Sequence, residues 1–509
     1  MMKEKISNLT KSQSKSDLLW QIIPIVLILL LAAGLYIYQI GTESLWKDEL
    51  LSVYRAKYLK DYIFVPRPVS YILLRGWMLF GYSDSWLRGL SAVFTVVSVF
   101  LVYRLGCRLV NKPVGLISAL LMAVSPLFIH HAQEVRMYGI SIFFGLLGTL
   151  ALTSALESPN KFSIGGWAIA RWLAILCTPL NLLLLLPDTV LFVWRFRKEK
   201  HVLLSFGAGL IAVGILWFPW VITVALNSAK FMGGFTGTVD PGIETDVENV
   251  QVKLKSAPTI INVLLQPGSF TAWPFGKPNS KVIFWFYNLY SVIVASLIGL
   301  ALFKKRNSYK LGWAAAWGFL PLIPIFLVSQ ISRSLWVDRY LMFTAPYIFI
   351  ILAAGFMMVW HRWRIPAVAI ALIYFVAIAG GVKRYYSVLD REDWRGIVQL
   401  IQTNEKSGDI IVWSAREVIP RALNHYYSGS ATIEVRSEQP QDDPQAIESW
   451  VESLPKTQSR LLLVFANPSS TLLSGIEKEF KVEQLYKIYA RGTVELFLLT
   501  PHTSETQRK

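Results

Sequence analysis

The sequence predicts an all-α polytopic membrane bundle followed by a small α/β domain. Three observations carry that prediction. Of 509 residues, 54% are hydrophobic and only 16% charged, with a mean hydropathy of +0.44; a water-soluble chain carries about 25% charged residues. Apolar runs long enough to cross a bilayer recur through residues 1–382. From residue 383 the pattern changes to short strand-like and helical segments in alternation. Together these exclude a soluble globular chain, a disordered one and a collagen-like one.

The apolar runs are 19–40, 85–105, 113–131, 137–156, 163–178, 180–194, 203–224, 282–303, 312–330, 340–360 and 365–382. They amount to about 11 transmembrane helices. The first follows Lys3, Lys5, Lys11 and Lys15 and lacks a small-residue cleavage site, so it reads as an uncleaved anchor. The stretch 163–194 is either a tight helical hairpin or a re-entrant pair. Nineteen Trp, 21 Tyr and 28 Phe supply the aromatic residues that membrane interfaces favour.

Charge placement sets the expected orientation. The formal net charge is +17, yet residues 383–509 hold 16 basic and 17 acidic side chains, so the excess lies in the hydrophobic part. With the N-terminus cytoplasmic, the inner segments carry 18 basic residues against Glu4, Asp17, Glu157 and Glu199. That distribution is the positive-inside pattern of a membrane protein, not an affinity for nucleic acid. The expected location is a bacterial inner membrane, with a periplasmic C-terminal domain.

Three expected external segments are too long to be turns: 41–84, 225–281 and 383–509. The first mixes aromatic and charged residues and has helical apolar spacing from Val69 to Phe80, as amphipathic helices on a membrane would. The second is rich in Gly, Thr, Pro and Asn and reads as partly ordered loop. The third has strand-like runs at 409–413, 460–465 and 494–499 and helical ones at 394–402 and 448–454. The expected division is therefore a transmembrane domain 1–382 and an external α/β domain 383–509. Cys107 and Cys177 fall near opposite membrane faces and cannot pair.

The sharpest local feature is Leu45-Trp46-Lys47-Asp48-Glu49, just after the first span. Adjacent carboxylates at a membrane surface repel and lose hydration, which raises their pKa values and would equip one to accept a proton from a substrate hydroxyl. The competing reading is that both acids favour the start of the following helix. The second feature is Ser125-Pro126 followed by His130-His131-Ala132-Gln133-Glu134-Val135-Arg136-Met137-Tyr138. Polar groups in so short and apolar a loop are costly unless paired or functional. His130 and Glu134, at i and i+4, could share a divalent metal; alternatively, adjacent histidines at a helix end hydrogen-bond locally.

These residues resemble a known family. Trp-x-Asp-Glu after the first span, Pro68-Val69-Ser70-Tyr71 in the first loop, and Ser125-Pro126 with Gln133 to Tyr138 in the second are similar to GT-C-fold glycosyltransferases of the protein O-mannosyltransferase and aminoarabinose transferase kind. Arg339-Tyr340 and Asp393-Trp394-Arg395 match the same layout, over most of residues 18–415. The resemblance implies a catalytic transmembrane domain that moves a mannose-like hexose, with inversion, from a polyprenyl-phosphate donor to an acceptor hydroxyl. The acceptor would be a glycan, a lipid or a protein. Asp48 would be the base, while Glu49 and Glu134 would orient the acceptor, tune Asp48 or help hold a metal. The leaving lipid phosphate would need cations, for which Lys47, Arg67, Arg136, Arg333 and Arg339 are candidates; of these, Arg136 and Arg339 occupy positions the family pattern marks. The alternative for each is an interfacial cation bound to any anionic lipid headgroup. The chain departs from many relatives at Arg67-Pro68, His130-His131 and Thr178-Pro179, which bears on the sugar and on any metal.

Arg171 and Asp188 lie in consecutive apolar runs on either side of Pro179–Leu180. In a hairpin they would share one depth, about 12 Å from the turn at 1.5 Å per residue, and should form a structural pair. Swapping the two charges should then restore the folding lost in either single variant. Two other functions fit the same composition. A secondary transporter or lipid flippase should show repeated halves and mid-membrane polar sites, and a non-catalytic polysaccharide-assembly subunit should tolerate loss of Asp48.

Overall fold

The computed structural model describes residues 22–502 apart from 65–66, 227–256, 273–279, 304–308, 332–333, 389–390, 415–419, 437–439, 441–442, 456–459, 467 and 490–492. The chain divides into two compact units: 1–40, 59–228 and 251–388 in one, and 41–58, 229–250 and 389–509 in the other. Lys47, Asp48 and Glu49 therefore belong to the same unit as the C-terminal segment.

The first unit is a helical membrane bundle. Each apolar run of the sequence overlaps a helix. Among the described residues, eight helices are long and apolar enough to span a bilayer, or nine if one bent pair counts as a single span; Ile22–Ile37 is shorter. The bend is of 60°, between Lys112–Val124 and Pro126–Ala132. Its cause is local. Pro126 carries no amide hydrogen and pushes the preceding residue out of the helical region, and Ser125 is extended at φ −64°, ψ 122°. The Ser125 hydroxyl then donates to Phe270 O at 2.6 Å.

Helices here pack closely where a side chain is missing, as bilayer helices do. A Cβ on Gly355 would lie 2.1 Å from Leu297 O, so the helices Ala345–Arg362 and Lys281–Phe303 touch backbone to backbone. A Cβ on Gly106 would meet Gly115 Cα at 2.7 Å, fixing the hairpin Asp84–Leu109 with Lys112–Val124. The most enclosed span runs through Phe349, Ile350 and Ile351, all fully buried. Exposed Leu204, Ile211, Ile215, Phe284 and Leu372 give the bundle an apolar exterior, as lipid requires.

The expected pair forms. Arg171 Nε donates to Asp188 Oδ2 at 2.6 Å and Nη2 to Oδ1 at 3.0 Å, both side chains being fully buried. Asp188 also accepts from the indoles of Trp167 and Trp317, each at 2.8 Å. Arg171 further reaches Gly145 O at 2.5 Å and Thr149 Oγ1 at 2.8 Å. These extra partners argue against full rescue by charge swapping. An arginine at 188 would face two indole donors, and an aspartate at 171 would face a carbonyl.

In the second unit, strands β1 (Ile410–Ser414), β2 (Thr432–Val435), β3 (Leu461–Ala466), β4 (Phe480–Tyr489) and β5 (Thr493–Pro501) form one sheet in the order β2-β1-β3-β5-β4. β2, β1 and β3 are parallel, while β5 is antiparallel to both β3 and β4. β1 and β3 are apolar almost throughout, as strands covered on both faces are. The helices Pro444–Glu452 and Ser470–Glu479 place Ile447, Val451, Leu472 and Ile476 against Val412, Leu463 and Phe497.

Three strands were legible in the sequence; β2 and β4 were not. Exposed β2 alternates too weakly, and the Lys, Glu and Gln of β4 mask its period. The helix Ile260–Ala272, within the long Gly- and Pro-rich segment, also went unread because Pro267 interrupts its pattern. Cys107 and Cys177 are both free.

Candidate active site

The bend at Pro126 aims a short helix at a turn. Its last residues, His130 and His131, and the turn residue Glu134 come together: His130 Nε2 lies 3.3 Å from Glu134 Oε1, and His131 Nδ1 lies 2.7 Å from Oε2. All three are buried. Burial alone would raise the Glu134 carboxyl, but the two imidazoles beside it hold it well below the usual carboxylate range. Rings enclose the cluster, with His130 edge-on to Tyr385 at 5.5 Å and His131 against Tyr138 at 4.7 Å. Gln133 braces the turn: its amide donates to Tyr38 O at 2.7 Å and accepts from the Tyr385 hydroxyl at 2.8 Å.

The ligand atoms of His130, His131 and Glu134 all lie within 4.8 Å of one another. Two imidazoles and a carboxylate are a donor set suited to Zn²⁺ or a similar ion with one open position. His131 joins the pair expected from the sequence because the turn after Ala132 brings Glu134 back toward it.

Three arginines from distant parts of the chain converge nearby. The Tyr138 phenol lies within electrostatic reach of Arg136, Arg339 and Arg67 and of Glu134. Arg67 sits at the N-terminal edge of the helix Pro68–Trp77 in a left-handed conformation, φ 81°, which costs a non-glycine residue energy and fixes where its side chain leaves the backbone. The Ser70 hydroxyl donates to Arg67 O at 2.7 Å, holding that turn. The Ser91 hydroxyl does the same for Arg136 O at 2.9 Å. Arg339 lies over the Tyr340 ring at 5.1 Å. Arg333 lies outside the described residues.

The second unit holds the acidic pair. Lys47, Asp48 and Glu49 open the helix Lys47–Lys57. Glu49 is fully buried, accepts from Trp46 N at 3.3 Å, and lies 3.7 Å from Arg391 Nη1. It is thus the helix-capping acid. Asp48 is half-buried, as is Lys47. This segment is anchored by Leu45 N donating to the Tyr426 hydroxyl at 2.8 Å, by Ser44 Oγ donating to Glu392 O at 2.6 Å, and by Arg395 donating to Gly41 O and Glu43 O. Arg391, Glu43 and Tyr426 were not singled out by sequence reasoning, because their partners are more than 340 residues away.

The membrane bundle and the small sheet unit have the GT-C fold of membrane glycosyltransferases. Residues 65–222 match the family model described as dolichyl-phosphate-mannose-protein mannosyltransferase. The fold is similar to that of ArnT from Cupriavidus metallidurans, solved bound to undecaprenyl phosphate, with a TM-score of 0.57 at 12% identity over 92% of this chain and 97% of that one. It is also similar to the Archaeoglobus fulgidus oligosaccharyltransferase, with a TM-score of 0.52 at 13% identity over 96% of this chain and 75% of that one. The mycobacterial arabinofuranosyltransferase AftD gives 0.51 at 13% identity over 96% and 42%. No curated protein matches the sequence significantly. The matching family model and folds are those of glycosyltransferases, not of transporters or flippases.

Proposed function

We propose that the protein transfers a hexose, mannose-like in character, from a polyprenyl-phosphate donor to an acceptor hydroxyl on a glycan, lipid or protein, with inversion at the anomeric carbon. The observation that carries this reading is the convergence of Arg136, Arg339 and Arg67 around Tyr138 beside Glu134. Three guanidinium groups at the end of an apolar bundle suit a phosphate whose tail lies in lipid. The matching family is described by a lipid-phosphate sugar donor, and ArnT binds undecaprenyl phosphate.

In this reading Asp48 takes the proton as the acceptor oxygen attacks the anomeric carbon. The bond from that carbon to the phosphate oxygen breaks, and its electrons leave with the lipid phosphate. Arg136 and Arg339 stabilise the departing phosphate, with Arg67 and Lys47 as supporting cations; no general acid is required. Glu49 positions Asp48 by capping their common helix. Glu134, held ionised between two histidines, orients the acceptor. Where a divalent ion is bound, His130, His131 and Glu134 would hold it, and it would supply positive charge to that region. Arg171 and Asp188 are structural. The protein resides in a bacterial inner membrane with its N-terminus cytoplasmic and the C-terminal unit periplasmic; the +14 net charge of the inner segments supports that orientation.

The decisive experiment is transfer of radiolabelled mannose from polyprenyl-phosphate mannose by the full-length protein in proteoliposomes. It is paired with mass spectrometry of envelope glycans from a deletion strain and its parent. Unchanged glycans, together with no transfer from any polyprenyl-phosphate sugar, would overturn the reading.

A further inference from the structure

A groove of about 690 Å³ runs between the membrane helices Lys161–Cys177 and Lys200–Leu226. It lies at the end of the bundle opposite the histidine cluster. The helix Tyr138–Glu157 leads from that cluster to this end, a separation of about 30 Å at 1.5 Å per residue. Trp167, stacked on Phe206 at 4.4 Å, holds the two groove helices together. Ile164 and Val213 are buried in the wall, while Ile169 and Leu216 stay exposed on the lipid side. Gly165 keeps the groove open. A Cβ there would meet nothing within 4 Å, so close helix packing does not account for this glycine, although glycine weakens a helix interior.

Charges of both signs stand at one end of the groove, where Lys161, Glu199 and His201 line it. None of these three side chains has a hydrogen-bond or ion-pair partner among the described residues. Lys161 opens its helix, where the macrodipole disfavours a cation, so helix stability does not explain it. Loop charge explains a cation on this face but not an acid in the same groove. A single ligand carrying both charges explains the two together.

We propose that this groove binds one molecule of phosphatidylethanolamine. The lipid phosphate accepts from Lys161 and His201, and the primary ammonium donates to Glu199. One acyl chain lies past Gly165 between the two helices. The groove follows its second helix from His201 to Leu216, about 22 Å. That exceeds half of the hydrocarbon core, which is about 30 Å thick, so an acyl chain has room along it. Pockets between membrane helices recruit particular headgroups through charge. A purely anionic headgroup would meet the Glu199 carboxylate, and the arginines proposed for the polyprenyl phosphate stand at the other end of the bundle. Only the choice of leaflet, the cytoplasmic one, rests on the orientation proposed above; the binding does not use the transferase reading.

The test is native mass spectrometry of the delipidated full-length protein. It is titrated with phosphatidylethanolamine, phosphatidylglycerol or phosphatidylcholine of identical acyl chains. Wild type should bind one phosphatidylethanolamine at least about tenfold more tightly than either other lipid, the effect of one hydrogen bond to a charged group. Glu199→Gln should remove that preference. Gly165→Leu fills the groove and should abolish tight binding of all three lipids. Ala212→Leu fills it from the facing helix and replaces G165L should that variant melt at a lower temperature than lipid-free wild type. Equal affinity for the three lipids, or a preference for either of the others, would overturn the proposal. So would unchanged binding in E199Q or in the filled-groove variant. Displacement of the bound lipid by polyprenyl phosphate would make the groove part of the donor's path and overturn it as well.

Discussion

Arg171 and Asp188 face each other in a bidentate pair, Nε to Oδ2 at 2.6 Å and Nη2 to Oδ1 at 3.0 Å, with no exposed surface on either. Removing one partner of such a buried pair leaves an uncompensated charge and costs about 3–5 kcal/mol. Arg171→Ala and Asp188→Ala should therefore each lower the melting temperature and the yield of folded protein. The double swap R171D/D188R should recover less than half of that loss, because Trp167 and Trp317 donate only to an acceptor at 188. Full recovery in detergent-solubilised protein would show that the indole bonds contribute little.

Asp48 is the half-buried member of the acidic pair, and Glu49 the capping one. Asp48→Asn should leave the protein folded in the membrane while reducing transfer at least about 10²-fold, the lower range for loss of a general base. Glu49→Gln keeps a side-chain acceptor for Trp46 N and should cost less activity. Wild-type rates from D48N in proteoliposomes would remove the proposed mechanism.

Arg339 is proposed to bind the donor's phosphate, a contact the acceptor does not share. Arg339→Ala should raise the donor KM more than the acceptor KM, and R136A should behave in the same way. Equal effects on both substrates would place these arginines elsewhere in the reaction.

The donor set of His130, His131 and Glu134 makes a direct prediction about metal content. Protein stripped with EDTA and dialysed against Zn²⁺ or Mn²⁺ should retain about one ion per chain by elemental analysis. His131→Ala should retain none. Equal metal content in the two would leave the cluster as a hydrogen-bonded brace.

Glu405 orders the approach to β2. It accepts from Tyr427 Oη at 2.7 Å and from Ser430 N and Ala431 N, each at 2.9 Å. Partial burial opposes its ionisation, but these bonds hold its carboxyl below the usual value; burial first, and then the bond to Glu405, push the Tyr427 phenol up to about 12. A depressed folded pKa contributes stability that is present above the unfolded value and lost as pH falls through the folded one. Amide protection factors across 428–431, corrected for the intrinsic exchange rate at each pH, should therefore fall at acidic pH in wild type, and in E405Q they should already be low at neutral pH and change little on acidification.

Sequence alone determined the membrane class, the positions of the spans and the Arg171–Asp188 pair. Each rests on information local in the chain: apolar run length, loop charge, and equal distance from one turn. It also marked Asp48, Glu134, Arg136 and Arg339, through motif order. Tertiary structure alone decided which distant side chains meet. Arg67, Arg136 and Arg339 lie within electrostatic reach of Tyr138 only through the tertiary fold. His130 stands edge-on to Tyr385 only because the helix Arg364–Ser387 returns beside it. Asp338 lines a cavity only because the helix Ile260–Ala272 packs beside it. Periodicity along a chain shows which face of a segment is apolar; it carries no term for which distant segment that face will meet.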